Sequence, residues 1–535
     1  MILLTSSLGG YSQNLIEKSV EGNVDNLPVR EHTITIRAEK VIKAGKKVMG
    51  MTINGSIPGP TLRFKEGEYA VIYVKNELDE ETSVHWHGLL LPNFYDGVPY
   101  LTTPPIQPGE TQKYEFPIKQ SGTYWYHSHT MLQEQSGIYG SIVIEPKEES
   151  LEYDKELVMV LSDWTNEKPM SVLRFLKRGT EWYNWRKGTA TPLNQVISRG
   201  ALGAQFNFWR QRMESADIAD IYYPAFLVNG QQTQEYPDFK PGEKVRLRII
   251  NGAASTQFWM TFGGGDPTIV SADGLDVIPV EHNKTFIAIA ETYDFIVTIP
   301  EVGKMEFKIT AQDGSGTASA FLGQGTTLSA PDVPRPDKIG MMKKMAKMDM
   351  RMGAPALKFR PGKDNPKELM SKWGMQMKDM DMSDQGMEMK SEMMDHSQMG
   401  EMQKKEEGMK MGSGKMDHSG MEEMKSDEQK MSGMAKMDMN NTEGETMDGM
   451  DLSLFSEYNY DYLKSPKATT HDKDVPIREV LLNLTGNMNR YIWSMNGIPL
   501  SETDKIKINE GEVTRITFNN LTRMHHPMHL HGHFF

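Results

Sequence analysis

The sequence predicts an all-β chain of three β-sandwich units, the last incomplete, with a long low-complexity insertion between the second and third. Three observations predict it. Gly and Pro are frequent, at 47 and 28 of 535 residues, and they separate short alternating apolar runs, which favours many strands over long helices. One turn-and-strand pattern occurs three times. Methionine crowds into a single segment.

The repeat sets the organisation. In the first copy Asn54-Gly55 is followed by Pro60, Gly67-Glu68 and an alternating run from Tyr69 to Asn76. In the second, Asn229-Gly230 is followed by Pro237, Gly242-Glu243 and a run from Lys244 to Asn251. The third has Asn496-Gly497, Gly511-Glu512 and a run from Val513 to Asn520. Each run ends nine residues after its glycine. Val71, Val245 and Val513 fall within these alternating runs, so each run reads as a strand with one buried face.

The spacing locates the insertion. Gly67 to Gly242 is 175 residues and Gly242 to Gly511 is 269, a surplus of 94. From Met341 to Met450 lie 28 of the 41 methionines, among Lys, Asp, Glu, Gly and Ser. With few other apolar residues, this segment is expected to stay disordered, because it buries too little surface to offset the entropy of ordering.

Bulk composition narrows the function. A length of 535 fits about three or four domains. The net charge of −13 argues against a nucleic-acid partner. No apolar run approaches the roughly 20 residues of a membrane span. The absence of cysteine excludes disulfides and thiolate metal sites from this sequence and leaves the redox compartment open. Ile2-Leu3-Leu4 and the small residues after them read either as a frayed end or as the remnant of a secretory signal.

Seven of the 14 histidines fall in three clusters: His85-Trp86-His87, His127-Ser128-His129, and His526-Pro527-Met528-His529-Leu530-His531. In an extended strand, residues two apart point to one face, roughly 6.5–7 Å apart, so each His-x-His presents two imidazoles side by side. A single such pair is a common surface feature. Three clusters, with one pair 42 residues from the next, point instead to pairs from several strands converging on more than one metal. Imidazole-only ligation favours Cu, Zn, Fe or Ni over Mg or Ca.

The segments His85-Trp86-His87-Gly88, Tyr124-Trp125-Tyr126-His127-Ser128-His129 and His526 to Gly532 resemble three of the four copper-binding motifs of multicopper oxidases. Leu161-Ser162-Asp163-Trp164 and the Met-rich insertion resemble the CopA-type copper-resistance branch. The resemblance runs from about residue 30 to the end, apart from the insertion. It implies tandem cupredoxin-like Greek-key β-sandwiches over 30–148, 155–333 and 453–535, the last truncated, with a tail over 1–29 and a linker over 334–452. By motif position, His85 and His529 are implied as ligands of the type 2 copper. His87, His127, His129 and His531 are implied for the type 3 pair. His526 is implied as one ligand of the type 1 copper. Asp96, in Asp96-Gly97-Val98-Pro99, resembles the family acid that supplies protons during dioxygen reduction, though an Asp before Gly is also an ordinary turn. His525 and His533 match no ligand position, and the second unit offers only His282.

The family's fourth motif, with its type 1 cysteine, has no counterpart before Phe535. A sandwich of about 100 residues begun near Val475 has 61 available here. The chain is therefore expected to be a truncated record, inactive in turnover as it stands.

The resemblance implies an exported, periplasmic oxidase that takes single electrons from Cu(I) or a phenol and reduces dioxygen to water, in copper resistance. Met-x-Met spacings such as Met348-Asp349-Met350 and Met375-Gln376-Met377 offer soft thioethers, and the linker is read as a Cu(I) tether or as a plain spacer. Two rivals stand beside the oxidase. A copper-sequestering protein without turnover would store metal on the histidines and the Met segment. A zinc hydrolase would need a water-activating carboxylate at an open metal position, which no motif supplies.

Overall fold

A computed structural model of the chain describes residues 26–178, 182–210, 218–346, 348–350, 375–377, 446–447, 450–451, 460–471, 474–487, 491–498, 506–520, 522 and 525–533. Strands dominate. The first unit has β1 Val29–Lys43, β2 Lys46–Ile53, β3 Gly59–Lys65, β4 Tyr69–Asn76, β5 His85–His87, β6 Thr111–Pro117, β7 Gly122–His127 and β8 Tyr139–Glu145. They form two four-stranded sheets, in the orders β2-β1-β4-β6 and β3-β8-β7-β5. Alternate residues of both sheets close over one core that includes Ile34, Ile72, Trp86, Tyr114 and Ile142.

The second unit packs two six-stranded sheets between Lys155–Trp164 and Thr327–Leu328, around Val245, Leu247, Phe258, Phe295 and Phe307. The third has three strands among the described residues: Ile477–Asn487, Ile492–Met495 and Val513–Asn520. The core-facing residues are Ala70, Ile72 and Val74 in the first unit and Val245, Leu247 and Ile249 in the second, so Val71, though buried, lies on the opposite face from the one expected, and Val513 is half-buried in the smaller third sheet.

The threefold repeat has a stereochemical cause. Asn54, Asn229 and Asn496 all take left-handed conformations, with φ of 51°, 48° and 52°, and each is followed by a glycine with positive φ. Asn tolerates this region because its short side chain bonds locally. Each amide oxygen then accepts a main-chain N–H from the first strand of its own unit: Thr35 at 2.7 Å, Val160 at 2.8 Å and Asn483 at 2.7 Å. The Gly-Glu pair recurs for a second reason. Glu68, Glu243 and Glu512 pair with Arg30, Lys155 and Arg478, which sit on those same first strands. In all three units that first strand runs parallel to the strand after Gly-Glu.

Four helices of the second unit, Pro169–Arg178, Trp182–Lys187, Leu193–Ser198 and Leu202–Arg210, are an addition to the predicted strands. The expected disordered linker also begins differently. Lys338–Met345 is helical, capped by the Asp337 carboxylate accepting the Gly340 N–H at 3.0 Å. Its Ile339 and Met342 are buried with Val196, Ala201 and Phe208 of the helical layer. Apolar contact therefore orders the first turns of the methionine segment. Met348–Met350 pairs antiparallel with Met375–Met377, and in a separate unit, Asp379–Glu457, Thr446–Met447 pairs with Met450–Asp451. The remainder of the expected linker, and the N-terminal tail through residue 25, lie outside the described residues. No helix among the described residues is long and apolar enough to cross a membrane.

Buried polar contacts lock the first sandwich to the second. Asp294 accepts from Thr123 Oγ1 at 2.7 Å and from Arg248 Nη1 at 3.1 Å, and Arg248 Nη1 also donates to Thr123 Oγ1 at 2.9 Å. Lys43 Nζ donates to the carbonyls of Ile57 and Gly230, both at 2.8 Å.

Candidate metal centre

The first half of the site is a product of strand pairing. β5 runs antiparallel to β7, which sets His85 opposite His127 and His87 opposite Trp125. Strand alternation sends Trp86 into the core and leaves both histidines of β5 on the other face. Trp125 lies two residues before His127 and stacks on it at 4.2 Å and 15°. The second half comes from the third unit. His529 stacks on His87 with ring centroids 3.7 Å apart, and His531 lies 4.1 Å from His85. Segments more than 400 residues apart in sequence thus share one pocket of imidazoles.

The ligand atoms of His85, His87 and His127 lie within 4.8 Å of one another, as do those of His85, His529 and His531. His85 belongs to both groups. Burial and then the neighbouring His127 hold the His85 imidazole well below its usual pKa, and burial and then His529 do the same for His87. Both rings are therefore neutral at ordinary pH, with a lone pair to give. His85 Nε2, His87 Nδ1 and His127 Nε2 are buried and have no hydrogen-bond partner. Leaving a buried polar atom unpaired costs about 1–3 kcal/mol. Three such atoms converging on one point fit an imidazole-ligated metal.

The opposite nitrogens are backed by oxygen. His85 Nδ1 lies 2.6 Å from the Asp96 carbonyl and 3.5 Å from its Oδ1. His531 Nδ1 lies 2.9 Å from Asp96 Oδ2. His127 Nδ1 lies 3.0 Å from the Ser128 carbonyl and 2.9 Å from Glu134 Oε2. These acceptors place the ring protons on Nδ1 and leave Nε2 for a metal, the usual division of labour in metal-ligating histidines. Asp96 is buried, and its approach depends on Gly97, where a Cβ would meet the Val84 carbonyl at 1.8 Å.

Six of the seven predicted histidines stand together: His85, His87, His127, His129, His529 and His531. His129 is the exposed member, 5.3 Å from His531 and 5.8 Å from His85. Asp96 stands beside them. His526 lies apart, 2.5 Å from Thr522 Oγ1 and 5.3 Å from the Trp493 ring, beside a cavity of about 500 Å³ that Tyr491, Met495 and Met528 also line. His525 contacts Gln312, His533 contacts the His531 carbonyl, and His282 stacks on Tyr462. Glu134 was not among the predicted residues. Its one sequence signal is proximity, five positions after His129.

The family model described as multicopper oxidase matches the chain in three parts, over residues 35–149, 155–329 and 475–535. The chain is 37% identical over 571 residues to Copper resistance protein A of Escherichia coli, covering 99% of this chain and 87% of that protein. It is 38% identical to Copper resistance protein A of Pseudomonas syringae pv. tomato, covering 94% and 83%. To Multicopper oxidase MmcO of Mycobacterium tuberculosis it is 27% identical, covering 94% and 75%. With a shared pocket of imidazoles built from its first and third sandwiches, this chain belongs to the multicopper oxidase family.

Proposed function

We propose that this chain carries the dioxygen-reducing copper site of an oxidase of copper resistance, one that takes electrons singly from Cu(I) or a phenol and reduces dioxygen to water. The carrying observation is the convergence of three unpartnered, buried imidazole nitrogens from His85, His87 and His127 with His529 and His531. His85 and His529 would hold the type 2 copper, His87, His127, His129 and His531 the type 3 pair, and His526 would contribute to the type 1 site. Bound copper supplies the one-electron steps of the reaction.

The protein's own part is to orient these rings, hold His85 and His87 neutral by burial, and deliver protons. Asp96 is the acid for delivery. Its carboxylate is buried at the His531 Nδ1 proton and its carbonyl fixes the His85 ring, so a proton taken up at the carboxylate is held at the edge of the site. The copper-resistance relatives and the small-residue stretch after Leu4 support a periplasmic location.

The test is to load the copper-free chain, reduce it anaerobically with excess Cu(I), and add dioxygen. Copper bound at the histidines, reoxidised with consumption of dioxygen, is the expected result. Bound copper that dioxygen does not reoxidise would return the storage reading. No tight copper binding would overturn both.

A further inference from the structure

We propose that Glu134 is a positioning residue for the copper held by His127, fixing the imidazole ring and strengthening Nε2 as a donor. This rests on the reading of His127 as a copper ligand.

The loop after His127-Ser128-His129 is built to aim this carboxylate. Met131 takes a φ of 47°, which tightens the turn, and Gln133 N–H closes onto the Thr130 carbonyl at 3.2 Å. The Gln133 side chain, buried, is then held from four directions. Its Oε1 accepts from Thr82 Oγ1 at 2.7 Å and Ser128 Oγ at 3.0 Å, and its Nε2 donates to Glu80 Oε1 at 2.9 Å and the Glu81 carbonyl at 2.8 Å. Beyond the held residue 133, the Glu134 side chain brings Oε2 to 2.9 Å from His127 Nδ1. The Gly137 N–H bonded to the Glu134 carbonyl at 2.9 Å fixes the other end.

Two oxygens meet His127 Nδ1, and they do different work. The Ser128 carbonyl is neutral and belongs to the adjacent residue, so it suffices to choose the tautomer. The Glu134 carboxylate carries charge and sits 2.9 Å from the same nitrogen as a close ion-pair contact, beside the aligned hydrogen bond to the Ser128 carbonyl, so it adds a charge to the ring that the carbonyl does not. A carboxylate behind a ligating imidazole raises its basicity and holds its plane. Exposure makes the arrangement inexpensive. The Glu134 side chain is 27% exposed and keeps its solvation while its tip reaches a ring that is 10% exposed. Trp125 stacked on the same ring leaves the imidazole no other plane.

The experiment uses the full chain with 15N-labelled histidine, first copper-free. The His127 Nδ1 proton, assigned through His127→Gln, is expected far downfield in the parent. It should move upfield in Glu134→Ala and part-way in Glu134→Gln. On copper loading, Glu134→Ala is expected to weaken copper binding by roughly 10–100-fold. Glu134→Gln, which keeps an acceptor without charge, should fall between and should raise the reduction potential of the bound copper. If Glu134→Ala fails to fold, Glu134→Gln carries the same readouts. An unmoved proton signal and unchanged affinity, in a protein whose His127→Gln variant does lose copper, overturn the proposal. If His127→Gln loses no copper, the ligand reading fails first and takes this inference with it.

Discussion

The carboxylate of Asp96 lies 2.9 Å from the Nδ1 atom of His531, across 435 positions of sequence, while the carbonyl of the same residue lies 2.6 Å from His85 Nδ1. One residue therefore orients an imidazole from the first sandwich and another from the third. Only the side-chain half of this arrangement is open to substitution.

That division gives the first prediction. Asp96→Asn keeps the carbonyl behind His85 and an acceptor beside His531 but removes the acid. Copper content should stay near the parent level. Reoxidation of the pre-reduced, copper-loaded chain by dioxygen should slow by about 10²–10⁴-fold, the usual contribution of a positioned general acid. Stopped-flow mixing with dioxygen measures it, and an unchanged rate removes Asp96 from proton delivery.

His85 and His129 should differ in weight. His85 is a member of both three-ligand groups, whereas His129 is the exposed ring at the edge. His85→Ala is expected to lose more copper per chain than His129→Ala, read by elemental analysis after dialysis. Equal losses would mean that the two groups do not act as one site.

Burial, followed by repulsion from Asp273, pushes the Glu291 carboxyl up to about 8. Its neighbours are acidic or phenolic (Asp273, Tyr293, Tyr460 and Tyr462), with no cation among the groups acting on it. Between its ordinary value near 4.5 and about 8 the folded state binds the extra proton, so stability falls as pH rises through that window. The slope is at most about 1.4 kcal/mol per pH unit for one proton. Glu291→Gln should flatten the fall and leave the variant more stable than the parent at pH 8. Urea melts across the range check it, and a parent whose stability rises over that window contradicts it.

The three left-handed asparagines make a graded series. Replacing any of them by Ala incurs the left-handed penalty of roughly 1–2 kcal/mol. Asn54→Ala frees an exposed bond to Thr35, whereas Asn496→Ala strips a buried N–H of Asn483. The second should cost about 1–3 kcal/mol more for the orphaned donor. Local hydrogen exchange in each unit ranks them.

What the sequence revealed, and what it withheld, follows from the range of each interaction. The Asn-Gly turns, the Gly-Glu pairs and each His-x-His are local, set by φ or by strand alternation, and they were legible in every copy. That pairs from several strands would converge was legible in the three clusters, but which rings meet, His85 with His531 among them, was legible only through the resemblance, since no spacing rule links strands so far apart. Glu134 was hidden because its role depends on how Gln133 is gripped by Thr82, Glu80 and Glu81. The four helices were missed because each spans ten residues or fewer, too short for a sustained 3.6-residue pattern. Ordering of Lys338–Met345 came from apolar partners at Val196 and Phe208 that lie in those unrecognised helices.

The ionic lock of Asp294 with Arg248 and Thr123 has a consequence for the pocket. It welds the platform bearing His85, His87 and His127 to its neighbour, while the strip from His526 to His531 remains part-open to solvent. The rings of His529 and His531 thus rest on a platform braced by the second sandwich, so a change at Asp294 would reach the imidazoles through Thr123 and β7 without touching them.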